Sequence, residues 1–81
     1  MARVLLFGPL SDLAGWRERT FAPAPATLSQ LKAMIARADR ALGAAIDAPG
    51  VRAAVDRELV AGDIGLADGA EVAFLPPMSG G

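Results

Sequence analysis

The residues with most chemical promise stand at the end of the chain, Pro76-Pro77-Met78-Ser79-Gly80-Gly81. Two prolines stop hydrogen-bonded strand and stiffen the chain, and six extended residues reach about 20 Å. Gly80 and Gly81 lack side chains, so this end can pass through a narrow channel into another protein's active site. The Gly81 carboxylate is then the one group the chain offers to chemistry. A carboxylate is a poor electrophile. ATP must first convert it to an acyl-adenylate, from which a sulfur donor displaces AMP and leaves a thiocarboxylate. Read alone, the tail also fits a frayed end, although Gly-Gly arises there by chance in roughly one chain in two hundred.

The absent residue types narrow the chemistry further. With no Cys there is no disulfide, thiol nucleophile or thiolate metal site, and with no His the commonest general base and metal ligand is missing. Tyr is absent as well. A self-contained hydrolase, redox enzyme or metalloenzyme is therefore not expected, nor is a metal or cofactor bound by the chain itself. Gly62-Asp63-Ile64-Gly65 lacks the Lys and helix start of a phosphate loop, which places ATP on an activating partner. Asp56 and Glu58 read as carboxylates of a solvated turn, Arg37, Arg40 and Lys32 as a solvated helix face, and Trp16 as a lid on the sheet edge. Lys and Arg total 8 against 9 Asp and Glu, a net charge of −1 without any block of one sign. That balance argues against nucleic acid and anionic membrane as partners. The apolar run Val4-Leu5-Leu6-Phe7 is cut by Gly8-Pro9, too short for a signal-peptide core or a bilayer span, so cytoplasmic residence is expected.

The elements that must hold such a tail fit one small domain of 81 residues. Eighteen of the 43 apolar residues are alanine, so the core is expected to be thin. Residues 3–7 read as a central strand, residues 8–16 as a loop, and residues 17–21 as a polar strand ended by Pro23 and Pro25. Thr27-Leu28-Ser29-Gln30 is a capping box in which Gln30 reaches back to the Thr27 amide. Leu28, Leu31, Ile35, Ala38 and Leu42 then mark one helical stripe that Gly43 terminates. Residues 44–50 connect, with Ile46 plugging the core edge. Val51, Ala53 and Val55 share one strand face, Glu58-Leu59-Val60 is a short strand, and Ile64 and Leu66 pin a loop. Asp68-Gly69 is a turn, and Glu71-Val72-Ala73-Phe74-Leu75 is the last strand, cut off by Pro76-Pro77. One helix on one face of a mixed sheet is an α+β roll. The folded domain is expected over residues 1–75, with residues 76–81 as a flexible tail.

Strand parity adds a surface. If Val4 and Leu6 face the helix, Leu5 and Phe7 face away, and so do Glu71, Ala73 and Leu75 when Val72 and Phe74 face in. Phe7 and Leu75 then lie in an uncovered apolar patch, or beneath a loop, or are scattered surface apolar residues of no consequence.

These segments together resemble the small, sulfur-carrying subunits of molybdopterin synthase, a family of ubiquitin-like β-grasp proteins. The resemblance runs end to end. It rests on Val4-Leu5-Leu6-Phe7, Leu13-Ala14-Gly15, Thr27-Leu28, Ala53-Ala54-Val55, Leu66-Ala67-Asp68-Gly69 and Glu71-Val72-Ala73-Phe74, and on the Pro76-to-Gly81 ending. Asp56, Ser11 and Met78 depart from the Asn, Arg and Val common in that family. The resemblance implies a β-grasp roll of about five short strands and one main helix. It implies a non-catalytic subunit whose Gly81 is adenylated by an activating enzyme, sulfurated by a donor protein and inserted into a large catalytic subunit, there giving sulfur to a pterin precursor of the molybdenum cofactor. Pro76, Pro77, Met78, Ser79 and Gly80 would enter with it, and Phe7, Leu59 and Leu75 would contact the larger partner. A carrier for thiamine or a tungsten cofactor, or a ubiquitin-like modifier joined to lysines through Gly81, uses the same tail.

Overall fold

Short runs, most of them rich in apolar residues and each bounded within a few residues by Gly, Pro or Asp, set down five short strands. The computed structural model describes residues 1–77. In chain order it contains β1 (Ala2–Leu6), α1 (Pro9–Ala14), β2 (Glu18–Phe21), α2 (Leu28–Ala38), α3 (Arg40–Ile46), β3 (Arg52–Val55), β4 (Glu58–Val60) and β5 (Glu71–Leu75). The strands form one sheet in the order β2-β1-β5-β3-β4. β1 and β5 run parallel, and every other neighbouring pair is antiparallel. This is the α+β roll that the sequence implies, with β1 and β5 both inside the sheet.

Val4, Leu6, Val72 and Phe74 point to one face, where Leu28, Leu31 and Ile35 of α2 and Leu42 and Ile46 of α3 bury them. Val51, Val55, Ile64 and Leu66 pack on this core from its margin. Trp16 does so too, its ring 6.2 Å from Phe21 at a tilt of 53°, which is the edge position expected of it.

The single helix expected through Leu42 is instead two. Asp39 is extended, at φ −154° and ψ 102°, and its carboxylate accepts from Leu42 N at 3.1 Å, capping α3 as α2 ends. An aspartate offers the backbone this alternative bond, and the stripe spacing carries no trace of it. Ala38 is consequently exposed although it lies on the stripe. Gly43 lies inside α3 and terminates nothing: a Cβ there would fall 2.5 Å from Ala36 Cβ and 2.6 Å from Ala36 Cα. It is the point of closest approach between α2 and α3.

The start of α2 is held from three sides. Thr27 Oγ1 accepts from Gln30 N at 3.2 Å, as a cap should. Gln30 Oε1 accepts from Ala26 N at 2.9 Å, one residue further back than the capping box requires. There Ile64 O and Leu66 N bond Leu28 N and Ala26 O, drawing the entry segment against the loop. From that loop Asp63 accepts from Ser29 N and Ser29 Oγ, both at 2.8 Å. The Ser29 amide, followed by its hydroxyl, holds the Asp63 carboxyl below the usual carboxylate range. No helix of the described residues is long and apolar enough to cross a membrane.

Candidate functional site

Pairing registers place one row of side chains across the sheet face that carries no helix. Glu18 lies opposite Leu5, Leu5 beside Ala73, Ala73 opposite Ala54, and Ala54 opposite Leu59. Two residues along β5, Leu75 lies opposite Arg52, and Phe7 follows Leu5 by two on the β1 side. Phe7 is 46% and Leu59 53% exposed, while Leu75 and Leu5 are half-buried. The face is thus apolar from Phe7 and Leu75 to Leu59, and no loop covers Phe7 or Leu59. Ala54 and Ala73 keep its centre low, a contribution that large-residue parity does not register.

Polar groups bound this face. At the end away from the tail, Arg3 pairs with Glu71 and lies 3.8 Å from Glu18, and Arg57 lies 4.0 Å from Glu71. Beside Phe7 the face opens into a hollow of about 510 Å³, lined by Leu5, Gly8, Ser11, Asp12, Arg17 and Glu18 as well.

Residues 8–16, expected as a loop, contain helix α1, which forms the wall of that hollow. Pro9 supplies a helical φ at the first turn, Ser11 Oγ donates to Gly8 O at 2.8 Å, and Gly15 N donates to Ser11 O at 2.9 Å to close it. Leu10 is its one buried anchor. Six residues are too few for a stable isolated helix, so packing rather than propensity makes it.

The root of the tail is built by two glycines, Gly8 and Gly50, of which the sequence marks Gly8 only as a strand breaker. Because β5 runs parallel to β1, Pro76 emerges beside the Phe7-Gly8 segment. A Cβ on Gly8 (φ 55°) would lie 3.4 Å from Pro76 Cγ, and one on Gly50 (φ 89°) would lie 2.9 Å from Pro77 Cβ. Both glycines adopt backbone conformations that other residues resist, and both let a proline sit against bare main chain. The Gly8-Pro9 and Pro49-Gly50 pairs were the available signal. Met78, Ser79, Gly80 and Gly81 lie outside the described residues.

Asp56 and Glu58 are not on one continuous strand face. Asp56 (φ 49°) and Arg57 (φ 71°) form the two-residue turn joining β3 to β4, and Asp56 Oδ1 accepts from Glu71 N at 3.0 Å. Among the described residues, no three His, Cys, Asp or Glu side chains cluster as metal ligands would.

A five-stranded roll with parallel inner strands, helices on one face, and a last strand running out as a tail is a ubiquitin-like β-grasp domain. Two crystal structures share this architecture. SAMP1 from Haloferax volcanii superimposes with a TM-score of 0.82 at 26% identity, over 99% of this chain and 98% of that one. H. volcanii small archaeal modifier protein 1 shares the fold with a TM-score of 0.81 at 24% identity, over 95% and 97%. The chain belongs to the ThiS family, whose pattern matches residues 4–81. It is 38% identical to the molybdopterin synthase sulfur carrier subunit of Escherichia coli (strain K12) over 100% of both chains.

Proposed function

We propose that this chain is a sulfur carrier of molybdopterin synthase, bearing its sulfur as a thiocarboxylate on Gly81. The observation that carries the reading is the geometry around Pro76. The last strand delivers the tail at the margin of an exposed apolar face, so one partner can hold the face and receive the tail together. Full-length identity to a carrier subunit of that synthase supports it.

The Gly81 carboxylate oxygen attacks the α-phosphorus of ATP on an activating enzyme, and pyrophosphate leaves. A persulfide on a donor protein attacks the acyl carbon through its outer sulfur and AMP leaves. A thiol then attacks the donor-side sulfur of the acyl disulfide, which frees the thiocarboxylate and leaves the donor as a disulfide. The domain supplies neither ATP site nor base. Its task is to present the tail. Phe7, Leu59 and Leu75 dock on the large catalytic subunit, while Pro76 and Pro77 aim Met78, Ser79, Gly80 and Gly81 into it, where sulfur passes to a pterin precursor. Burying Phe7 and Leu59 there contributes about 1 kcal/mol each, since about half of each side chain is exposed and full burial is worth about 1.5–3 kcal/mol.

A protein lacking Gly81 should unfold like the parent yet transfer no sulfur in a reconstituted synthase. Normal transfer by that variant refutes the reading. The likeness to a modifier protein favours a second reading, in which the same activated Gly81 forms an isopeptide with a lysine of another protein. Intact mass of protein from its native host separates the two: sulfur in place of oxygen on the free chain, or a bond to a second polypeptide.

A further inference from the structure

We propose that the free edge of β2, with the groove beneath it, binds an extended segment of a partner protein in which carboxylates flank a short apolar run. This surface is distinct from the face and tail used for sulfur transfer, and its assignment does not depend on that function.

The first observation is an unused hydrogen-bonding edge. β2 is an outer strand, bonded only to β1. Leu6 N donates to Arg17 O at 2.8 Å, and antiparallel pairs alternate between bonded and non-bonded. Val4–Arg19 and Ala2–Phe21 are therefore the bonded pairs, leaving the N–H and C=O groups of Glu18 and Thr20 directed outward. Such an edge is completed by another extended chain.

The second observation is what lies below that edge on the helix side. Arg19 and Phe21 pair with the inward-facing Val4 and Ala2, so they too face α2. Together with Pro23, Met34 and Arg37 they line a groove of about 440 Å³. Its floor is apolar, and no carboxylate lines it. The two arginines make no ion pair among the described residues, as is true also of Arg17, Arg40 and Arg52, but only these two flank the apolar floor of this groove. Arg19 lies instead over the Phe21 ring, 4.8 Å from its centroid, which keeps its planar donors at the groove rim. Two arginines beside an apolar floor match carboxylates on either side of an aliphatic residue. In a chain of net charge −1, two unpaired cations thus share one groove that has no carboxylate in its lining.

A strand laid along Glu18 and Thr20 sends alternate side chains over the groove, so edge and groove select the same ligand. Phe21 lies opposite Ala2, at the end of β1 remote from Phe7 and Pro76. A partner held here leaves the tail free, and two proteins can engage the domain at once.

The test is a nuclear magnetic resonance titration of the full chain with a capped eight-residue peptide, two acidic residues at each end and Val-Ile-Val-Leu between them. Saturable shifts are expected at the Glu18, Arg19 and Thr20 amides and the Met34 methyl. Exchanging the peptide's acidic residues for lysine, or combining Arg19→Glu with Arg37→Glu, should weaken binding about tenfold or more. Arg37→Glu alone, on the exposed helix surface, should weaken it about threefold or more and covers the case in which the double variant unfolds. Equal affinity for the lysine peptide, shifts confined to the outer sheet face, or no saturation at millimolar peptide would each overturn the proposal.

Discussion

Gly50→Ala separates the cost of an unusual backbone from the cost of moving the tail. Gly50 has φ 89°, so an alanine there carries a left-handed penalty of about 1–2 kcal/mol. Its new methyl would also stand 2.9 Å from Pro77 Cβ, against the roughly 3.5–4.0 Å that carbon atoms prefer. Pro77 is exposed, so it yields by roughly 1 Å instead of breaking the core, at little further cost in stability. The consequence falls on whatever must be positioned beyond it. A shift of that size in a reacting group can cost about a hundredfold in rate. Gly62→Ala is the control: φ is 75°, and nothing lies within 4 Å of the new methyl. Both variants should lose about 1–2 kcal/mol in denaturant unfolding, while sulfur transfer should fall about ten- to a hundredfold for Gly50→Ala alone. Equal transfer by the two variants would show that the Pro77 contact does not aim the tail.

Further expectations concern the scaffold and the face. Gly43→Ala gains about 1 kcal/mol of helix propensity but forces α2 and α3 apart at Ala36, so a net loss of about 1–2 kcal/mol should appear as a lower denaturation midpoint. A gain would mean the two helices separate freely. Leu59→Ala should weaken the large-subunit complex about fivefold by calorimetry with stability unchanged, whereas Ile35→Ala should cost about 2–5 kcal/mol of stability. Asp63 titrates below its unfolded value, so the stabilisation it brings is complete above roughly pH 4 and is lost as pH falls through its folded pKa. Asp63→Ala should therefore flatten the acid limb of stability, read from midpoints between about pH 6 and pH 3. An unchanged acid limb would exclude the Ser29 bonds as its source.

The strands were legible because short β-rich runs are bounded within a few residues by Gly, Pro or Asp, as at Gly8-Pro9, Pro23, Asp56, Gly62 and Pro76. Strand parity placed Phe7 and Leu75 on the helix-free face without reference to any relative. Other features depend on contacts between distant segments. The break at Asp39 occurs within a run of unbroken helical spacing, and only the Leu42 bond shows why the chain turns. Helix α1 has six residues and one buried anchor, below what local pattern can announce. Gly8 and Gly50 are ordinary turn glycines in the sequence. Their role appears only when the two prolines arrive against them from residues far along the chain.

The parallel pairing of β1 with β5 has a mechanical consequence. The tail is the direct continuation of the innermost strand, which is bonded to β1 on one side and β3 on the other. A pull on the tail along the strand axis loads both ladders in shear, so many hydrogen bonds resist it together. An edge strand would peel away one bond at a time. If the tail is gripped inside an enzyme and then withdrawn, as the proposed function requires, the domain can serve as a stiff handle: force applied at its surface passes to the tail through the middle of the sheet, and the fold does not unravel from its margin.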